Sequence, residues 1–233
     1  ESLAALVRRR FNGEILDYLV NPLIAGIYAG DPERLSVKHA MPILHDAERR
    51  HGSLIVGAMK EMKAKRGIVR QKGITSFTNG LGALPEAMAA SLGASLHLHA
   101  RVTRVERLGS RWRLEVSGQP AVDADAVLCA TPAYAIAELG LPSEVSAALG
   151  AITRLRHPPV ATLALGFRRE DVQHPLDGFG VLMPAIERRT VLGVLFSSSV
   201  FAGRAPSGHV LLTCFLGGTR SPADGDVALP EIL

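Results

Sequence analysis

The residues best suited to binding chemistry lie in one apolar stretch, residues 21–31, in which Gly26 and Gly30 stand four positions apart. Glycines leave the backbone bare, so a neighbouring helix or a flat ligand can approach it closely. Helix packing is the simpler interpretation of this spacing taken alone. Pro22 predicts the end, or a kink, of the helix before it, because proline lacks an amide hydrogen and clashes with the carbonyl one turn back.

Motifs for covalent or metal chemistry are scarce. The sequence contains no Gly-x-Ser-x-Gly elbow, no Cys-x-x-Cys pair and no phosphate-binding Gly-Lys-Ser/Thr motif. His97 and His99 fall on one face of a predicted strand, but no third ligand lies at a spacing that suits zinc. The sequence therefore predicts no metal site and assigns no catalytic acid, base or nucleophile.

Short blocks around the two glycines resemble the middle of a known enzyme family. In order, they are residues 22–31, Leu35-Ser36, Pro42 and residues 51–57, and residues 178–184 add a Gly-Phe-Gly-x-Leu-x-Pro match. This order resembles the central part of the porphyrinogen oxidases of haem synthesis. The opening Gly-x-Gly-x-x-Gly turn of that family, which holds the FAD pyrophosphate, and its closing Gly-rich segment are not found in the chain.

A second block is similar to the FAD-domain insert of the wider flavin amine oxidase superfamily. It consists of an Arg-Val-Thr-Arg-Val strand, a hairpin that carries Trp112, and the run 124–132. The resemblance implies that the backbone of Val102 meets the adenine and that Ala130, Thr131 and Pro132 run near the flavin. The alternative is an ordinary strand pair that binds no ligand.

The resemblance implies an activity and a set of substrate-binding residues. In the family, FAD takes hydride from a porphyrinogen and passes electrons to molecular oxygen, while the protein supplies a flat apolar cleft. The expected parent enzyme oxidises protoporphyrinogen IX or coproporphyrinogen III. Gly26 and Ile27 are expected in the cleft, Ile136 near a pyrrole edge and Phe179 stacked on the macrocycle, although core packing would equally explain a phenylalanine. The segment alone is expected to be inactive, because the pyrophosphate-binding turn lies outside it.

Two other interpretations stay open. One is another enzyme of the amine oxidase superfamily, such as a carotenoid desaturase, although the Ile-Tyr-Ala-Gly-Asp block at residues 27–31 argues against it. The other is a non-catalytic helical and β-sheet module that binds a membrane surface or a protein partner without a cofactor.

Composition is typical of a globular protein. The chain has 233 residues, of which 47% are hydrophobic and 21% charged, enough to bury a core. Cys129 and Cys214 each lie in an apolar run and are predicted to be buried free thiols, which suits a reducing compartment. No apolar run approaches the roughly 20 residues that a spanning helix needs. The expected location is cytoplasmic, or peripheral on the inner face of the cell membrane.

Positive charge is concentrated near the start of the chain. Residues 1–75 carry 13 Lys and Arg against 8 Asp and Glu, whereas the whole chain has a net charge of +4. A solvated helix face is the first explanation, and an anionic membrane surface or an acidic ligand is the next. Nucleic acid is not predicted as a partner, because no aromatic side chains interleave the basic run 60–72.

The hydrophobic pattern predicts an α+β fold that begins with a helical unit. Helices are expected over residues 1–20 with a break at Gly13, after an Asp31-Pro32 cap, after Ser36, and from Ser53 with apolar positions that include Ile55, Ala58 and Met62. Residues 67–73 are predicted to be a basic linker or loop.

The second half is predicted to be rich in strands. We expect a helix over 84–91, a β-meander from Ser95 to Pro120, a buried parallel strand in the stretch 123–133, a helix over 133–139, and an antiparallel sheet from 160–167, 191–196 and 210–215. The predicted domains are a helical membrane- or substrate-side unit (1–73), a partial FAD-binding segment (74–133) and a substrate-binding domain (134–233).

Overall fold

A computed structural model of the protein describes residues 1–54, 56–57, 59–60 and 74–220. The chain divides into two compact units, of which the first joins Glu1–Thr78 to Pro158–Leu233 and the second is Asn79–His157. The early helices and the late sheet therefore belong to one body, although the second unit lies between them in sequence. The functional segments 1–73, 74–133 and 134–233 stay a prediction.

The first unit begins with a set of short helices. They are α1 (Leu3–Arg10), α2 (Gly13–Ile15), a π-helical turn (Leu16–Val20), α3 (Asn21–Tyr28), α4 (Val37–Ala40) and α5 (Pro42–His51). Their apolar faces form a core from Leu3, Ala4, Leu6, Val7, Leu16, Ile24, Val37 and Leu54. The predicted stripe through Leu3 and Val7 is confirmed, whereas Phe11 lies beyond the end of α1 and is exposed.

Pro22 does not end its helix, so that alternative of the prediction is wrong, whereas a kink at Pro22 stays a prediction. Helical backbone continues from α2 through the π turn into α3, where Pro22 occupies the first turn. The amide of Asn21 donates to the carbonyl of Leu16, five residues back, which widens the helix just before the proline. This wider turn accommodates the proline ring and its missing amide hydrogen.

Asp31 caps a turn and not the helix that the sequence predicts. Its Oδ1 accepts a hydrogen bond from the amide of Glu33 (2.9 Å). Its carbonyl oxygen accepts from the amides of Arg34 (3.0 Å) and Leu35 (3.1 Å). The short aspartate side chain closes this turn locally, which competes with the start of a helix.

Two predictions fall on residues outside the described ranges. They are the helix from Ser53, of which residues 55, 58 and 62 are not described, and the linker 67–73.

The second unit contains a helix and a three-stranded antiparallel meander. Its elements are α6 (Ala83–Leu92), β1 (Val102–Leu108), β2 (Arg111–Val116), β3 (Val122–Ala124), α7 (Ala133–Ile136) and α8 (Ser143–Leu149). The strand order β1-β2-β3 confirms the predicted meander. Along β2, half-buried Trp112, Leu114 and Val116 alternate with exposed side chains, as the sequence pattern predicts.

The first strand of the meander is shorter than predicted. It starts at Val102 and not at Ser95, because residues 93–95 form a 3-10 turn and His99 adopts a positive φ of 56°. A left-handed residue interrupts extended backbone, so His97 and His99 do not share a strand face.

The prediction of a buried parallel strand in the stretch 123–133 is wrong. Only Val122–Ala124 is a strand, and it pairs antiparallel with β2. Leu128 is 93% exposed, and within the described residues of this unit parallel pairing is limited to a bridge between Arg104 and Gly140. A parallel strand is buried only where neighbours cover it, and no described strand lies along residues 126–130. The helix that follows, α7, is also shorter than the predicted 133–139.

A four-stranded antiparallel sheet completes the first unit. Its strands are β4 (Val160–Arg168), β5 (Gly180–Leu182), β6 (Val191–Leu195) and β7 (His209–Gly217), and a short helix, α9 (Ser197–Val200), follows β6. The order is β4-β7-β6-β5, with every neighbouring pair antiparallel. The predicted sheet is confirmed. Buried Cys214 on β7 agrees with its prediction, whereas Cys129 is exposed, because the segment that carries it lacks a covering strand.

An ion-pair network in the helical region predicts acid sensitivity. The guanidinium groups of Arg9 and Arg10 bond the carboxylate of Glu48 and lower its pKa to about 2. Because the folded protein binds this proton less readily than the unfolded chain, the stabilisation is complete above the usual pKa of 4.5 and is lost as pH falls towards 2. We expect Glu48→Gln to lower the unfolding midpoint at about pH 6 and to have little effect at about pH 2.

Thermal unfolding of the wild type and of Glu48→Gln across this pH range measures the effect. Exposed Glu14, on the neighbouring helix α2, supplies the matched control Glu14→Gln. Equal midpoint differences for Glu48→Gln at the two ends of the range would contradict the assignment.

Candidate functional site

Both ends of helix α3 are hydrogen-bonded to segments that follow strands β5 and β7 of the first unit. At its N-terminus, the side-chain oxygen of Asn21 accepts hydrogen bonds from the amide of Ala185 and from the guanidinium of Arg220, both at 3.2 Å. At its C-terminus, the carbonyl of Ala29 accepts a hydrogen bond from the amide of Thr219 at 2.8 Å. Most of the glycine-bearing stretch 21–31 is therefore a helix, α3, which lies against strands β5 and β6.

The two glycines of α3 and its following turn are close to leucine side chains. A Cβ placed on Gly26 would lie 2.5 Å from Cδ2 of Leu182 on β5, and one placed on Gly30 would lie 3.1 Å from Cδ1 of Leu35. Gly26 therefore lets the helix approach the sheet closely. Its role in a substrate cleft stays a prediction.

The other two predicted substrate residues of the first unit present apolar surface to solvent. Ile27 follows Gly26 on α3 and is 61% exposed, and the side chain of Phe179 is 56% exposed directly before β5. The carbonyl of Phe179 accepts a hydrogen bond from the amide of Phe196 at 3.0 Å. An anchored backbone with an open ring face is an arrangement that can stack on a flat apolar ligand.

The remaining predicted residues lie in the second unit. Ile136, half-buried on α7, lines a cavity of about 150 Å³ together with Leu139, Leu141 and Leu149. Val102 is half-buried at the start of β1, where the register of β1 against β2 shifts between Val102 and Arg104. This cavity is local to the second unit and mainly aliphatic.

The segment that precedes α7 is open to solvent. Ala130, Thr131 and Pro132 are all exposed. The thiol of Cys129 lies 3.2 Å from the hydroxyl of Thr131, and hydrogen bonding to Thr131 lowers the pKa of this thiol. Small exposed side chains and uncovered backbone are compatible with the approach of a planar ring to this segment.

Sequence reasoning did not identify Asn21 and Arg220. Nη1 of Arg220 is buried and makes no hydrogen bond within the part of the chain that the structure describes, and burial lowers the pKa of this guanidinium. The two residues are far apart in sequence, so only tertiary contact reveals that they meet at the end of α3. The position of Asn21 at the start of the glycine-bearing stretch 21–31 was the only signal in the sequence.

The described ranges contain neither a metal-binding cluster nor a membrane-spanning helix. Within them, no three His, Cys, Asp or Glu side chains come close enough to share a metal ion. No described helix combines the length and the apolar character that crossing a bilayer requires.

Comparison with known proteins places these observations in a family. The family described as flavin containing amine oxidoreductase matches residues 1–227. The chloroplastic protoporphyrinogen oxidase of Nicotiana tabacum is 32% identical over an alignment that covers 95% of this chain and 44% of that protein. The coproporphyrinogen III oxidase of Bacillus subtilis (strain 168) is 29% identical over 100% of this chain and 50% of that protein. The chain thus spans about half the length of these curated relatives.

A solved structure shares the fold. A protein from Exiguobacterium sp. 255-15, provisionally named a protoporphyrinogen oxidase, matches with a TM-score of 0.75 and 24% identity, over 96% of this chain and 46% of that one. The resemblance found in the sequence is confirmed at the level of the family. Because the family match extends over almost the whole chain, the protein belongs to the flavin-containing amine oxidoreductases.

Proposed function

We propose that this chain forms the central region of an FAD-dependent porphyrinogen oxidase that converts protoporphyrinogen IX or coproporphyrinogen III to the porphyrin with molecular oxygen as acceptor. The observation that carries the proposal is the alignment of nearly the whole chain with relatives named for porphyrinogen oxidation, both plant and bacterial. The exposed ring of Phe179 beside the close packing of α3 on β5 supports it independently.

Four residues of the second unit are proposed to contact the cofactor. When bound, FAD supplies the redox chemistry by accepting a hydride. Ala130, Thr131 and Pro132 would lie against the flavin, and their exposure and small size fit a planar ring. The backbone of Val102 would meet the adenine.

The substrate side of the proposal depends on apolar shape more than on charge. Gly26 and Ile27 would line the cleft and Phe179 would stack on the macrocycle, whereas the role of Ile136 at a pyrrole edge stays a prediction of the resemblance. A tetrapyrrole offers a broad apolar face, which suits exposed aliphatic and aromatic side chains held on regular elements. The work of these residues is to bind, to orient and to exclude water.

We also propose that the protein is cytoplasmic, or peripheral on the inner face of the cell membrane. Exposed Leu19 in the π turn and exposed Ile43 on α5, together with the excess of Lys and Arg over Asp and Glu in residues 1–75, support contact with an anionic surface. Cell fractionation with a high-salt wash of the membranes tests this location. We expect the protein in the soluble fraction or in the salt wash, and retention on the membranes until detergent is added would contradict the proposal.

The activity is tested on the complete protein encoded by the gene. We expect a flavin absorption spectrum and an oxygen-dependent rise of porphyrin fluorescence on addition of protoporphyrinogen IX or coproporphyrinogen III. The porphyrinogen that is oxidised with the higher kcat/KM identifies the substrate. A flavoprotein that oxidises neither would favour another enzyme of the superfamily, such as a carotenoid desaturase. A colourless protein that binds no added FAD would favour the non-catalytic module.

Phe179→Ala is expected to weaken substrate binding. Loss of an aromatic stacking partner is worth about 1.4 kcal/mol, which corresponds to about a tenfold rise in KM with kcat changed by less than about threefold. Steady-state kinetics on the complete protein measure both constants. Phe167→Ala, which removes an exposed ring from β4 of the same sheet, is the matched control. A KM for Phe179→Ala equal to that of the control would exclude the stacking role.

A further inference from the structure

The loop that leads from β4 to Phe179 is organised by one arginine side chain. Arg169 lies in a 3-10 turn directly after β4. Its guanidinium donates hydrogen bonds to three backbone carbonyls of the loop, those of Val172 (2.6 Å), His174 (3.2 Å) and Pro175 (3.2 Å). A planar fork of donors suits this task, because one rigid group can satisfy several carbonyls at once.

The next turn of the loop adopts an unfavourable backbone conformation. Leu176 has a positive φ of 55° and its side chain is buried at 5% exposure. For a residue with a Cβ this conformation costs free energy, so surrounding contacts must hold it. One such contact is the hydrogen bond that the amide of Leu176 donates to Nδ1 of His174 at 2.9 Å. Nδ1 is therefore the acceptor nitrogen of this imidazole.

Phe196 connects this turn to Phe179. The rings of His174 and Phe196 are in contact, with centroids 5.4 Å apart and planes inclined by 56°. The amide of the same Phe196 donates to the carbonyl of Phe179 at 3.0 Å. A continuous chain of contacts thus runs from Arg169 through His174 and Phe196 to the backbone of Phe179.

We infer that Arg169 and His174 are positioning residues, which hold the loop 172–178 so that the ring of Phe179 is presented to a flat apolar ligand. Neither side chain needs to touch the ligand. The inference rests on the proposed function for the identity of the ligand, a tetrapyrrole, and on the contacts above for the mechanism. It assigns a role in binding to two polar residues that lie outside the predicted site.

Two substitutions of His174 separate its hydrogen bond from its ring. His174→Phe keeps a ring against Phe196 and removes the acceptor, whereas His174→Asn places an amide oxygen near the position of Nδ1 and removes the ring. We expect His174→Phe to raise KM about fivefold with kcat changed by less than about twofold, and His174→Asn to recover most of the loss. Arg169→Met is expected to raise KM by a similar factor to His174→Phe, because it also removes hydrogen bonds that hold the loop. His209→Phe, at an exposed histidine of β7, is the matched control.

A double-mutant cycle distinguishes positioning from general support of the fold. If His174 acts through Phe179, His174→Phe has no further effect on KM when Phe179 is already alanine. Equal effects of His174→Phe with and without the Phe179 ring would overturn the inference. A KM for His174→Phe equal to that of the His209→Phe control would do the same.

A second readout does not depend on catalysis. Hydrogen exchange of the amides of residues 176–180 in the complete protein is expected to speed up in His174→Phe and Arg169→Met, with the control unchanged. Unchanged exchange in both variants overturns the inference.

A binding measurement tests the inference separately from the proposed function. If the complete protein oxidises no porphyrinogen, the proposed function fails, and the affinity for protoporphyrin IX, measured by fluorescence, then tests the positioning role. Weaker binding by His174→Phe than by His174→Asn supports the positioning role, and equal or undetectable binding rejects it.

Discussion

Gly180→Ala is expected to lower the free energy of unfolding by about 3 kcal/mol, one of the two largest effects predicted for this chain. A Cβ at this position would overlap the carbonyl oxygen of Val194 and lie 3.0 Å from Cα of Leu195. Both obstacles are backbone atoms, so rotation of a side chain cannot relieve the overlap. The φ of Gly180 is 152°, a conformation that residues with a Cβ rarely adopt.

The consequence of this substitution extends to the candidate site. Gly180 is the first residue of β5 and follows Phe179 directly, so displacement of the strand also displaces the aromatic ring. Urea unfolding of the complete protein, followed by circular dichroism, measures the stability, and hydrogen exchange locates the change in β5 and β6. Gly166→Ala is the control, because a Cβ there meets nothing within 4 Å and the change should stay within about 1 kcal/mol. Similar midpoints for the two variants would refute the steric argument.

Ile24→Ala is expected to destabilise the protein by about 3 kcal/mol. Ile24 is fully buried on the inner face of α3, in the core that Leu3, Leu6 and Leu16 also form. Removal of its side chain loses apolar burial and leaves a cavity that the fixed ends of α3 prevent from closing. Because α3 carries Gly26 and Ile27, which are proposed to line the substrate cleft, we also expect substrate binding to weaken in proportion to the loss of stability.

The same helix supplies the control for this prediction. Ile27 is 61% exposed, so Ile27→Ala should change stability by less than about 0.5 kcal/mol. If Ile27 lines the substrate cleft as proposed, its substitution raises KM without lowering the unfolding midpoint. Urea unfolding and steady-state kinetics on the two variants therefore separate support of the fold from contact with the ligand. Equal stability losses for both would show that the division of α3 into a buried and an exposed face is wrong.

The elements that were predicted well are those whose periodicity is strong over a short range. The apolar period through Leu3 and Val7 identified α1, and the alternation of Trp112, Leu114 and Val116 identified β2. The β-rich runs that became β4, β6 and β7 formed the expected antiparallel sheet. In each case neighbouring residues of the chain carry the information, because local geometry decides which side chains share a face.

Predictions failed where the outcome depends on what covers a segment. Val127, Leu128 and Cys129 form an apolar run that is typical of a buried strand, yet the described structure provides no strand beside it and these residues are exposed. Pro22 was expected to end a helix, but a widened turn before it preserves the helical path. Periodicity does not contain this information, since both outcomes depend on neighbours and backbone adjustments outside the local pattern.

The sequence by itself determined the family, the α+β character and the position of the two glycine-bearing blocks, because these are properties of residue order and local spacing. Only the tertiary structure decided that Asn21 meets Ala185 and Arg220, that Gly26 faces Leu182, and that His174 and Phe196 support Phe179. These contacts join residues that are distant in the chain. Their formation depends on the free energy of packing a helix onto a sheet, which no local pattern specifies.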